Sequence, residues 1–204
     1  MQITDLYQTK IECSTYNANI DSTDTVITVS LIDFNGNAVT GKSVTLTCDK
    51  GYFNKKGSTA ISGTTTKSIT LNTDSNGQIT GTWTASEWGL CTFSTNTTNT
   101  QINVTGWRTN SHQNPGSYTI RYNEELVEVR VHMSSANVTT SWSTWGNILE
   151  NNSVNLKPSS DVMFFDAFFG VVMKIPSGSN NIIVKAVSSA YSGALNGSVT
   201  YARR

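Results

Sequence analysis

The chain has 204 residues, enough to bury the core of one large sandwich or of two domains of about 100 residues each. Its 14 basic and 14 acidic side chains give a formal net charge of zero, which offers no sign of electrostatic steering toward nucleic acid or an anionic membrane and disfavours a phosphate-tracking role. Charged residues make up only 14%, while Ser, Thr and Asn together exceed a third of the sequence, the composition of exposed β-sheet faces and turns, so the chain reads as all-β.

The start, "MQITDLYQTK", lacks the basic and apolar regions of a signal peptide, and no stretch reaches the ~18 consecutive apolar residues of a membrane span. The expectation is a protein without export signal or membrane insertion, with residues 1–20 a leading segment or strand. From residue 25 the pattern has period two: Ile27, Val29 and Leu31, then Val44, Leu46 and Cys48. Further strands are predicted at 67–72, 78–85, 90–95 and 101–105, punctuated by the turn sequences "NGN", "DKG", "DSNG" and "EWG" at sandwich spacing.

The run "DFNGN" at 33–37 has the look of a calcium loop, but such a loop needs further oxygen ligands after the glycine and a late Glu. Here Gly36 is followed by Asn37, Ala38, Val39 and Thr40. Asn35-Gly36 therefore supplies a tight turn, and Gly77 in "TDSNG" supplies another.

The segment 106–116 lacks apolar periodicity and contains Pro-Gly, so it is predicted to link a first domain, 1–105, to a second, 117–204. The second domain is predicted to hold strands at 118–122, 126–133, 162–165, 171–175, 181–187 and 197–201. "DAFFGVVMKI" reads as strand rather than helix because of its β-branched pair and the Pro176 stop. Strands 126–133, 171–175 and 181–187 are expected to show apolar residues on both faces, one toward the core and one toward a neighbouring subunit.

Catalytic and metal-binding patterns are weak. His112 falls in the predicted linker and His132 alternates outward with Glu128 and Arg130; there is no Gly-x-Ser-x-Gly elbow and no zinc spacing. Glu124 and Glu125 are adjacent, point to opposite faces of a strand and cannot flank one glycosidic bond; "YNEELV" reads as a hairpin turn. Cys13, Cys48 and Cys91 show no metal pair. Cys48 and Cys91 fall on predicted strands of one sandwich, where they could face each other across it, and a disulfide and buried free thiols both stay open. Of the aromatics, Trp88, Trp107 and Trp142 are candidate partner or saccharide contacts, since turn tryptophans stack on sugars or fill partner pockets, while Trp145 is expected to plug the sandwich.

Two resemblances extend this reading. Residues 20–105 resemble the bacterial immunoglobulin-like domains of invasin/intimin-type adhesins and phage structural proteins, through "ITVSLIDFNGNAVTGKSVTLTCDKGYF" with Asn35 and Gly36, "LNTDSNGQITGTW" with Gly77, and "GLCTFST". Residues 115–204 resemble the C-terminal β-sandwich of tail and baseplate proteins of phages of Gram-positive hosts. The matching residues are Trp142, Gly146 and Ile148 in "WSTWGNI", Pro158 in "LKPSSDVMF", and Leu195, Gly197 and Tyr201 in "ALNGSVTY". The link "ILENNSVNLKP" is longer and richer in Asn than that family's pattern. The resemblance implies a non-enzymatic virion component without cofactor, a tail, baseplate or fibre part that assembles as a homo-trimer with other virion proteins and contacts host-surface saccharide. The alternatives are a segment of a cell-surface adhesin and a carbohydrate-binding module detached from an enzyme.

Overall fold

A computed structural model describes residues 7–112, 117–147, 156–165, 170–179 and 181–202. The described residues form strands and turns with no helix, so the all-β class read from composition is the class observed. The chain divides into two compact units between Gly106 and Trp107.

The first unit has ten strands: β1 (Tyr7–Cys13), β2 (Asn17–Asn19), β3 (Thr25–Asp33), β4 (Ser43–Cys48), β5 (Tyr52–Lys56), β6 (Thr59–Ala60), β7 (Ser68–Asn72), β8 (Gln78–Thr84), β9 (Gly89–Ser94) and β10 (Asn99–Thr105). They form two sheets, β1-β3-β8-β5-β6 and β2-β10-β9-β4-β7, with β2 parallel to β10 and the other pairs antiparallel. The order β1-β3-β8-β5 facing β10-β9-β4 is that of the A-B-E-D and G-F-C sheets of an immunoglobulin-like sandwich, with β2 and β7 added at the edges of the second sheet. Period-two alternation sends Ile27, Val29 and Leu31 of β3 and Ile79 and Trp83 of β8 inward, against Leu46, Phe93 and Ile102 of the opposing sheet. Trp83 and Phe53 from one sheet meet the Phe93 ring from the other edge to face, at 5.1 Å and 6.2 Å between centroids. The leading segment from Tyr7 onward packs on its own chain, β1 running the length of β3 from Tyr7↔Asp33 to Cys13↔Ile27.

The "DFNGN" run is a turn held by its own acid. The Asp33 carboxylate accepts hydrogen bonds from the backbone N–H groups of Asn35 and Asn37, both at 2.8 Å, and from Asn37 Nδ2 at 3.1 Å, while Gly36 takes φ 85°. Asp74 repeats the device, accepting from the N–H groups of Asn76 and Gln78 before Gly77 turns the chain. Cys48 and Cys91 do not face each other across the sandwich: β4 and β9 are neighbours in one sheet, with Cys48 opposite Phe93. All three cysteines are free thiols, and burial pushes Cys48 up to about 11 and Cys91 up to about 12.

The second unit has eight strands: β11 (Arg108–His112), β12 (Ser117–Tyr122), β13 (Leu126–Val138), β14 (Ser143–Asn147), β15 (Val162–Phe165), β16 (Val171–Ile175), β17 (Asn181–Ala186) and β18 (Tyr191–Ala202). The stretch 106–116, expected as linker, contributes β11, which pairs with β12 from Arg108↔Tyr122 to His112↔Tyr118. The sheets are β11-β12-β13-β18 and β14-β17-β16-β15, all antiparallel. Gly197 on β18 lets them approach: a Cβ there would lie 2.5 Å from Met173 Cε and 3.0 Å from the Phe165 carbonyl oxygen. The buried Tyr201 hydroxyl donates to the Leu156 carbonyl at 2.8 Å, tying the chain before β15 to the core, and Leu195 and Pro158 are also buried. "YNEELV" is a hairpin turn, as read, with Asn123 Oδ1 accepting from the N–H groups of Glu125 and Leu126.

Candidate functional site

Among the described residues, the exposed large apolar side chains of the second unit gather on the sheet β14-β17-β16-β15. Its strands are apolar at both alternations: Val171, Met173 and Ile175 of β16 and Ile182, Val184 and Ala186 of β17 point into the core. The other alternation holds Val172, which is only 7% exposed, and Ile183, Lys174 and Lys185, which are half-buried. The register sets two rows across the face. One runs Phe165–Val172–Lys185 and the other Met163–Lys174–Ile183. Trp142, one residue before β14, continues the first row, with Lys185 Nζ 5.7 Å from its ring centroid. Met163 (54%), Phe165 (49%), Val187 (53%) and Trp142 (41%) are the exposed large apolar side chains of this unit among the described residues.

The charges on this face are ordered. Lys174 Nζ lies 2.5 Å from Asp161 Oδ2, and the lysine's hydrogen bond holds the Asp161 carboxyl below its usual range. Among the described residues no carboxylate pairs with Lys185, whose ammonium rests over Trp142. Such a face can seat an apolar or aromatic group and neutralise a nearby negative charge.

The opposite sheet presents a different surface. β13 places Glu128, Arg130 and His132 outward, so strand 126–133 does not have the second apolar face expected of it; the alternating charges make that face polar. Glu128 is 9% exposed and is bonded by Arg121 on β12 and by Arg130, whose Nη2 lies 3.0 Å from Glu128 Oε1. Burial alone would raise the Glu128 carboxyl, but the hydrogen bonds and charges of the two arginines outweigh it and leave it below its usual range. His132 Nδ1 bonds Asn196 Oδ1.

The predicted contact residues are not gathered into one site. Trp88 is half-buried against the core of the first unit and donates from Nε1 to the Gly106 carbonyl at 3.2 Å, so it is a packing residue. Trp107 is half-buried under the Arg121 guanidinium, 5.0 Å above its ring, beside the polar sheet. Only Trp142 is exposed. The Trp145 backbone lies in β14, and its side chain and most of "ILENNSVNLKP" fall outside the described residues. Sequence reasoning singled out the tryptophans and passed over Phe165, Met163 and Lys185. The signal for these was present in "VMFF" and "VVMKI", where one alternation fills the core and the other is left over. Among the described residues no group of three or more His, Cys, Asp or Glu could hold a metal ion, and no helix is long and apolar enough to cross a membrane.

No family model matches the sequence. No curated protein matches it either. Among solved structures, the adhesin InvE of Yersinia pseudotuberculosis is similar at 15% identity, covering 95% of this chain and 58% of that one, with a TM-score of 0.38. This chain thus spans little over half the length of that structure, and a likeness of that score bears on neither partner nor activity.

Proposed function

We propose that the chain is a non-enzymatic structural and attachment module, a tail, baseplate or fibre component of a virion. In this reading the immunoglobulin-like unit is a spacer and the second unit assembles copies around a three-fold axis. The observation that carries it is the grouping of the exposed apolar side chains Phe165, Trp142, Met163 and Val187 on one sheet, a cluster of the kind that marks contact sites. Repeated copies would turn weak contacts with a host-surface saccharide into avid ones through effective concentration. The immunoglobulin-like strand order of the first unit also suits a second reading, a segment of a cell-surface adhesin, in which the chain stays monomeric.

Light scattering after size exclusion separates the two. A mass three times the 22.2 kDa of the chain, reduced to one copy by Phe165→Ser, is the expected result. A single-copy mass at every concentration would refute assembly and leave the adhesin reading.

A further inference from the structure

The chain contains three Asn-Gly pairs, Asn35-Gly36, Asn76-Gly77 and Asn196-Gly197. Such a pair can modify itself: the glycine's backbone nitrogen attacks the asparagine's side-chain carbonyl carbon, and glycine has no Cβ to hinder the approach. The attack requires the Asn-Gly segment to rotate out of its folded conformation into one where nitrogen and carbon meet, so whatever restrains the glycine sets the rate.

The first two pairs lie in turns of the same build. Asp33 N–H donates to the Asn37 carbonyl and Gly36 N–H to the Asp33 carbonyl, at 2.9 and 3.1 Å. Asp74 N–H donates to the Gln78 carbonyl and Gly77 N–H to the Asp74 carbonyl, at 2.9 and 3.0 Å. In each turn the Asp Oδ1 accepts from the same two backbone N–H groups, those of Asn35 and Asn37 or of Asn76 and Gln78. Bonds inside the turn therefore do not distinguish Asn35 from Asn76, and both asparagines are exposed.

Their surroundings do. Gly77 is buried, its carbonyl accepts from the Leu31 N–H at 2.9 Å, and a Cβ on it would lie 2.6 Å from the Leu31 carbonyl oxygen and 3.0 Å from the Val39 nitrogen. Gly36 is exposed, with open space around the position of its Cβ. Asn196-Gly197 is held inside a strand: the two residues pair with His132 and Val131 of β13, Asn196 Oδ1 is bonded to His132 Nδ1, and Gly197 packs against Met173.

We propose that Asn35 is a site of spontaneous deamidation and that the fold protects Asn76 and Asn196. The Gly36 nitrogen gives up its proton and bonds to Asn35 Cγ, the Cγ–Nδ2 bond breaks, and ammonia leaves. Water then opens the succinimide at one of its two carbonyls, giving aspartate or isoaspartate at position 35. Either product adds a carboxylate to a chain of zero formal net charge and sets it close to that of Asp33. The isoaspartyl form also lengthens the backbone by a methylene inside a turn where the Asp33 carboxylate spans the Asn35 and Asn37 N–H groups. The reaction needs water and no partner, so it proceeds in each copy of the chain regardless of assembly.

The test incubates the intact chain at mildly alkaline pH, beside a sample unfolded in guanidinium chloride, and follows the three Asn-Gly peptides by mass spectrometry. In the folded chain Asn35 should deamidate on the order of tenfold faster than Asn76, the ratio expected from the one hydrogen bond that Gly77 must give up and Gly36 need not. Asn196 should stay intact, and unfolding should bring the three rates together. Asn35→Gln should suppress the acidic form that accumulates on ion exchange in the folded wild type. Equal rates at Asn35 and Asn76 in the folded chain, an Asn35 that reacts only after unfolding, or an acidic form that accumulates unchanged in Asn35→Gln would each overturn the proposal.

Discussion

Gly51→Ala probes the aromatic centre of the first unit. Gly51 has φ 65°, and a Cβ built there would lie 2.3 Å from the Thr84 carbonyl oxygen and 2.4 Å from Trp83 Nε1. Trp83 is fully buried, donates from Nε1 to the Lys50 carbonyl at 3.0 Å and stacks edge-on against Phe93, so it has nowhere to withdraw. Three costs follow. The left-handed backbone costs a non-glycine residue about 1 kcal/mol. Overpacking a core position costs about 1–3 kcal/mol, and a displaced indole loses a hydrogen bond worth about 1 kcal/mol. The sum is about 3–5 kcal/mol, a large share of the stability of a small domain. Gly57 is the control, with φ 56° and open space where its Cβ would go, so Gly57→Ala should cost only the backbone part, about 1 kcal/mol. Urea denaturation of both variants, with peptide-level hydrogen exchange to assign the loss to the first unit, measures the difference. Losses equal within about 0.5 kcal/mol would refute the steric argument, since that is near the resolution of the comparison.

Three further outcomes are expected. Tyr201→Phe removes the buried bond to Leu156 and should cost the second unit about 1–2 kcal/mol. Burial raises the Tyr201 hydroxyl above its ordinary value, so its stabilisation is full below the unfolded value of about 10 and is lost as pH rises from there toward the folded one; the variant should lack that alkaline dependence in melting curves. Glu128→Gln leaves Arg121 and Arg130 side by side and should cost about 1–2 kcal/mol, the arginines' exposure moderating the effect. Because the Glu128 carboxyl is depressed, its contribution is present above the unfolded value of about 4.3 and fades as pH falls through the folded one, so wild type and variant should converge in acid. Trp88→Ala should lower the melting temperature of the first unit, by about 2–4 kcal/mol of stability, whereas Trp142→Ala should change stability by less than about 0.5 kcal/mol; equal losses would contradict the placement of the two rings.

The central strands were legible because both of their faces are constrained. Ile27, Val29 and Leu31 repeat with period two because β3 lies between β1 and β8 with one face in the core, and the Asn-Gly turns follow from backbone chemistry alone. The strands without a clear signal are mostly edges. β1 buries only Ile11, "YFNKK" of β5 is interrupted by an irregularity between Phe53 and Lys55, and "RTNSH" of β11 has no apolar residue to set a period. The site was half legible. "VVMKI" and "NIIVKA" announce a surplus apolar face, but the burial of Trp88 depends on the Gly106 carbonyl, and that of Trp107 on Arg121, contacts across 18 and 14 positions that no local pattern encodes.

The account stands or falls on whether the outer face of β15-β16-β17 is covered when the chain associates. Methionine oxidation reads this directly, because Met163 is 54% exposed on that face while Met173 is fully buried in the same unit and serves as internal reference. Under limiting peroxide, Met163 should oxidise quickly in dilute chain and become protected as concentration rises, with Met173 slow throughout. An oxidation rate of Met163 that is the same at every chain concentration would contradict the account.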